Sequence, residues 1–307
     1  MGLIEGGAIR IFRVAGINVF LHWTWLIVAA IEYNLQQHFK SPIWNVVEYI
    51  GIFLIVLLHE FGHAFACRSV GGRAERIMLW PLGGIAFVEP PPRPGAVLWS
   101  IAAGPLVNVV LIPVLVGAFF AAGIAGWEAA HEDAYNLIKR MVGINIGLLI
   151  FNILPFYPLD GGQILQSLLW FVVGRGRSLV IAGSVGAVAG AGLLALTLFF
   201  GLGIFPAIMA FFLMMQAWNG VRMGQVVRRF ESLPRREGLR CPICGQAPVL
   251  GRVWPCEHCQ HPMDVFENDG LCPHCGHQAQ RAICVHCGRT SPLPGASEEE
   301  PIEAWPA

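Results

Sequence analysis

Six apolar runs, each near the length at which an α-helix crosses a bilayer, restrict this chain to a membrane-embedded architecture. About 20 residues rising ~1.5 Å each cover the ~30 Å of hydrocarbon. The runs are Ile17 to Glu32, Val47 to Ala66, Val97 to Ala122, Val142 to Pro155, Leu179 to Phe200 and Ile204 to Asn219. The first is short, and only Gly-Leu-Gly separates the last two, so five spans are an alternative. With 55% hydrophobic and 13% charged residues, the whole chain is more apolar than a soluble domain. The expected fold class is an all-α polytopic membrane protein.

Arginine placement sets the expected orientation, because positive charge stays on the cytoplasmic side. Arg10 and Arg13 precede the first run, Arg68, Arg73, Arg76 and Arg93 follow the second, Arg175 and Arg177 follow the fourth, and Arg222, Arg228 and Arg229 follow the sixth. The opposite loops hold Lys40, Glu128, Glu132, Asp133, Lys139 and Arg140, a more acidic set. Both termini are then expected in the cytoplasm of a multi-pass cell-membrane protein. No small-residue cleavage site follows the first run, so it reads as retained.

Within the second run, "LLHEFGHAFA" at 57 to 66 places two histidines and a glutamate at membrane depth. Ionisable residues there are costly and mark a functional interior. In His59-Glu60-x-x-His63 the imidazoles lie one helical turn apart on one face and can share a metal ion. Zinc suits such nitrogen ligands, and Glu60, beside the metal face without being a ligand, is placed to take a proton from an attacking water. The bland alternative is a pair of histidines that only hydrogen-bond a neighbouring helix.

A third ligand is expected at Asp160, in "NILPFYPLDGG" after the fourth run. Counting from Val47 puts His59 about 18 Å and His63 about 24 Å below the outer face, while the count from Val142 puts Asp160 at roughly 27 Å. Pro155 and Pro158 break the helix before it. The three side chains can therefore meet at similar depth, towards the cytoplasmic leaflet.

These segments, together with "GPLVN" at 104 to 108, resemble the site-2 protease family of intramembrane zinc metalloproteases, over residues 1 to about 220. The resemblance implies that His59, His63 and Asp160 hold a catalytic zinc, that Glu60 is the acid/base, and that Asn108 holds the substrate or the developing oxyanion. It also implies a substrate that is a single-span membrane protein, cleaved in or near its transmembrane segment. "RIMLWPLGGIAFVE" at 76 to 89 is too short to span and reads as a re-entrant β-hairpin turning at Pro81, Gly83 and Gly84, similar to one in the family. A free strand edge there would capture unwound substrate backbone. The rival reading from another class is a non-catalytic zinc-dependent membrane regulator.

Composition changes after Pro234. Cys241/Cys244, Cys256/Cys259, Cys272/Cys275 and Cys284/Cys287 form four C-x-x-C pairs. Consecutive pairing gives two four-thiolate zinc ribbons, so about three zinc ions are expected in all, one catalytic and two structural. Disulfides compete, but the expected compartment is reducing. Between Cys241 and Arg289 only Arg252, Arg281 and Arg289 are basic, against Glu257, Asp264, Glu267 and Asp269, so nucleic acid is not an expected partner and a cytoplasmic protein is. The expected domains are a membrane protease domain at 1–222, a basic linker at 223–240, the ribbons at 241–289 and an acidic, disordered tail at 290–307.

Overall fold

The computed structural model describes residues 4–5, 7–25, 27, 39–80 and 83–293. It divides into two compact units, Met1–Gly224 and Gln225–Ala307.

The first unit is mostly helical but begins with strands β1 (Ile4–Glu5), β2 (Ala8–Val14) and β3 (Ile17–His22). Ala15 and Gly16, both at positive φ (49° and 76°), make the two-residue turn that joins β2 to β3. After helix α1 (Ile43–Ser69) come β4 (Arg73–Trp80) and β5 (Gly83–Glu89). The five strands form one sheet in chain order, with β5 at an edge. Only the β3–β4 pairing is parallel, and it requires the crossover that α1 supplies. Ile17, Val19, Ile77 and Leu79 of the sheet close a core with Val56, Leu57, Ala64 and Cys67 of α1.

This sheet corrects two expectations. Ile17 to His22 is a strand rather than the start of a transmembrane helix, and residues 26 and 28–32 of that expected span lie outside the described residues. Strands β4 and β5, where a separate re-entrant hairpin was expected, pair antiparallel within a five-stranded sheet, and residues 81–82 between them lie outside the described residues.

The helices that follow are α2 (Pro94–Ile124), the short α3 (Trp127–Ala130), α4 (Glu132–Ile153), α5 (Asp160–Val173), α6 (Arg175–Phe199) and α7 (Ile204–Glu231). Among the described residues α1, α2, α4, α6 and α7 are long and apolar enough to cross a membrane. Helix α4 starts ten residues before the expected Val142, taking Lys139 and Arg140 out of their expected loop. Arg140 can sit there because its Nε reaches the carboxylate of Glu48 on α1, which is only 1% exposed. Gly183 and Gly190 on α6 face Val221 and Met214 of α7, the close approach that small residues permit between membrane helices.

The second unit holds two small antiparallel ladders, β6 (Trp254–Pro255) with β7 (Pro262–Met263) and β8 (Arg281–Ile283) with β9 (Thr290–Pro292). Val249, Trp254, Met263, Val265, Ala282 and Leu293 form its core. Within residues 223–240, α7 runs on to Glu231, and Arg236 Nη2 donates at 2.6 Å to Asp264 Oδ2, whose side chain is fully buried. Strand β9 carries folded structure past Arg289, and the rest of the expected tail, 294–307, lies outside the described residues.

Candidate metal centre

Two helices bring His59, His63 and Asp160 together. Helix α1 presents both histidines on one buried face, and α5 opens with Asp160 as its first residue. A carboxylate in the first turn is favoured by the exposed N–H groups of that helix end. Asp160 Oδ2 lies 3.0 Å from His59 Nε2 and 3.4 Å from His63 Nε2, and the two Nε2 atoms are 3.1 Å apart. The residues that the sequence separates by about a hundred positions thus form one compact triangle.

Hydrogen bonding on the far side of each ring fixes what faces the triangle. His63 Nδ1 lies 2.9 Å from the backbone oxygen of Ser100, which can only accept, so Nδ1 carries the proton. His59 Nδ1 lies 2.6 Å from Asn108 Oδ1, also an acceptor, with the same result. In the neutral rings both Nε2 atoms are then bare lone pairs, and they converge with a carboxylate oxygen. Three acceptors without a donor repel one another unless a cation lies between them. Zinc held tetrahedrally at ~2.0–2.1 Å separates its ligand atoms by about 3.3 Å, close to the observed edges. The donor set fits zinc.

Close packing shapes the space around it. A Cβ on Gly104 would stand 2.8 Å from His59 Nε2 and nearer still to His63 Nε2. A Cβ on Gly84, in the edge strand β5, would stand 2.5 Å from Glu60 Cδ. Glu60, itself buried, therefore lies alongside a strand edge.

Asn108 is fully buried, its acceptor end faces His59, and its Nδ2 donates at 2.8 Å to Asn145 Oδ1 on α4. One of the two Nδ2 hydrogens is thereby committed to Asn145. Sequence reasoning missed the Ser100 carbonyl, because a backbone group leaves no residue-type signal.

The peptidase family M50 model matches residues 47–124 and 121–196, two segments that carry His59, Glu60 and His63 in one and Asp160 in the other. The chain belongs to the site-2 protease family, peptidase family M50. It is similar to a zinc metalloprotease of Methanocaldococcus jannaschii, 33% identical over 181 residues, which are 58% of this chain and 50% of that protein. It is similar also to stage IV sporulation protein FB of Bacillus subtilis, 35% identical over 119 residues, 37% of each chain. Among solved structures the site-2 protease from M. jannaschii matches with a TM-score of 0.52 and 28% identity, covering 70% of this chain and 95% of that one. The chain spans half or less of the length of these two curated relatives. As a member of this family with five such helices, it is a multi-pass membrane protein.

The cysteine pairs of this site-2 protease relative group differently from the consecutive pairing expected. Cys241 and Cys244 join Cys284 and Cys287, while Cys256 and Cys259 join Cys272 and Cys275, so the second cluster is nested inside the first. Ladder β6–β7 frames the Cys256/Cys259 knuckle and ladder β8–β9 frames the Cys284/Cys287 knuckle. Sγ–Sγ separations are 3.9 and 3.8 Å in the outer cluster and 3.7 Å twice in the inner one. A disulfide is ~2.05 Å long, whereas four thiolates at ~2.3 Å from zinc lie about 3.8 Å apart. Burial raises the Cys272 thiol, but the N–H groups of Cys275 and His274 and the thiols of Cys256 and Cys259 outweigh it and hold Cys272 at about 7. The N–H of His277 lowers Cys275, yet neighbouring thiols push it up to about 12. One thiolate forms readily and the next is resisted by its charge, a conflict that a divalent cation relieves.

Proposed function

We propose that this chain is an intramembrane zinc metalloprotease that hydrolyses a peptide bond in or near the transmembrane segment of a membrane-protein substrate. The observation that carries the reading is the triangle formed by His59 Nε2, His63 Nε2 and Asp160 Oδ2, with a buried glutamate on the same helical turn. His59, His63 and Asp160 are the proposed ligands. Zinc bound there supplies Lewis acidity, lowering the pKa of a water towards ~7 and drawing charge from the peptide oxygen. Glu60 takes the proton of the attacking water and passes it to the departing amine.

A substrate helix hides each carbonyl in an i to i+4 hydrogen bond, so it must unwind before it can be cut. The edge of β5 beside Glu60 offers N–H and C=O groups to the unwound segment by β-addition. Gly84 keeps that strand close enough to the base for the captured bond to lie within reach.

The proposal extends to three zinc ions, one at the membrane site and one in each cysteine cluster, to cytoplasmic termini, and to ribbons that contact protein and govern substrate access. The test is cleavage of a panel of single-span proteins by the purified chain. Wild type cuts at least one while Glu60→Gln, with its zinc retained, cuts none; equal activity of the two would overturn the reading.

A further inference from the structure

Given the zinc reading of His59, His63 and Asp160 above, we infer that Asn145 on α4 is a positioning residue that sets the tautomer of His59 through Asn108. Four hydrogen-bonding groups run in series. Asn145 Nδ2 donates at 3.0 Å to the backbone oxygen of Asn108, Asn108 Nδ2 donates at 2.8 Å to Asn145 Oδ1, and Asn108 Oδ1 lies 2.6 Å from His59 Nδ1. Both asparagines are fully buried, so no water competes for these groups.

The direction of this series is not arbitrary. A primary amide has a donor end and an acceptor end that are nearly the same shape, and a lone Asn108 could present either to His59. A backbone carbonyl can only accept. Asn145 must therefore turn its Nδ2 towards the Asn108 carbonyl, which leaves its Oδ1 facing the Asn108 amide. Asn108 must answer with Nδ2, which leaves its own Oδ1 facing His59. His59 Nδ1 then carries the proton, and Nε2 is bare towards Asp160 and His63. His63 reaches the same state directly, from the Ser100 carbonyl. His59 borrows a carbonyl two amides away, and Asn145 transmits it. A flipped Asn108 would instead protonate Nε2 and place a hydrogen where the cation belongs. Partners of this kind, one step behind a metal ligand, are worth about 10–100-fold in metal affinity.

A carboxylate has two acceptor ends and no wrong orientation. Asn145 is therefore needed only while residue 108 is an amide.

The test is a titration of the full chain in detergent against a zinc-buffering chelator, following the membrane-site ion while the thiolate clusters remain loaded. Asn145→Leu, of similar volume, weakens that site about 10–100-fold. In an Asn108→Asp background the same change costs no more than about threefold, as for uncoupled sites. Asn145→Asp, protonated when buried, reproduces the donor and acceptor of asparagine, keeps affinity near wild type, and serves if Asn145→Leu does not fold. An equal cost of Asn145→Leu in both backgrounds would show a packing role, and no cost in either would remove the role; both overturn the inference. Wild type binding no zinc at the membrane site is a different failure, that of the protease reading itself.

Discussion

One methyl group placed at residue 104 probes the metal centre. In Gly104→Ala the new Cβ would stand 2.8 Å from His59 Nε2, and ordinary contact begins near 3.4 Å, so the imidazoles must retreat by at least about 0.6 Å. They cannot swing aside freely, since Nδ1 of each is tied, to Asn108 Oδ1 at 2.6 Å and to the Ser100 oxygen at 2.9 Å. Nor can α2 withdraw cheaply. Gly62 of α1 faces Ala103 of α2 so closely that a Cβ there would stand 2.7 Å from its carbonyl oxygen. Metal ligands tolerate displacements of only ~0.2 Å, and misplacement on the order of 1 Å costs about 100-fold in rate. Gly104→Ala should lose the membrane-site zinc, keep the ions of the cysteine clusters, and fall at least ~100-fold in cleavage. Zinc analysis of the purified variant beside a cleavage time course measures both. Full zinc content with unchanged turnover would refute the packing described around the triangle.

Glu60→Gln should lower cleavage by about 10²–10⁴-fold while leaving zinc content unchanged, since it removes a proton carrier and no ligand. Replacing Cys241, Cys244, Cys284 and Cys287 together with serine should remove one zinc ion and leave Cys256, Cys259, Cys272 and Cys275 loaded; loss of both structural ions would indicate consecutive pairing instead. Arg140→Leu strands the buried Glu48 carboxylate and should cost about 3–5 kcal/mol of stability, with part recovered in Glu48→Leu/Arg140→Leu. Thermal unfolding of the single and double variants measures that coupling, and equal melting temperatures for wild type and Arg140→Leu would contradict it.

The metal-site geometry was legible in the sequence to the extent that chemistry fixes spacing. His59 and His63 follow from one helical turn, whereas the depth counted for Asp160 started at Val142, ten residues into α4, and so does not by itself place that carboxylate. The N-terminal strands were not legible for a physical reason. Ile17, Val19 and Phe20 are all fully buried, so β3 shows no two-residue alternation and its apolar run reads equally as helix. The start of α4 was obscured because Lys139 and Arg140 look like loop residues until Glu48 is known to face Arg140. Four equivalent C-x-x-C pairs carry no information on which knuckle meets which; only the folded chain shows the nested grouping. Which end of the Asn108 amide faces His59 was not legible, because only the contact with Asn145 determines it.

Zinc-edge anomalous diffraction from crystals of the full chain tests the central claim most directly. The account predicts a peak in the membrane unit within ~2.0–2.2 Å of His59 Nε2, His63 Nε2 and a carboxylate oxygen of Asp160. A zinc-replete crystal with peaks at the cysteine clusters alone, or with Asp160 turned away from an ion held by the histidines, would contradict it.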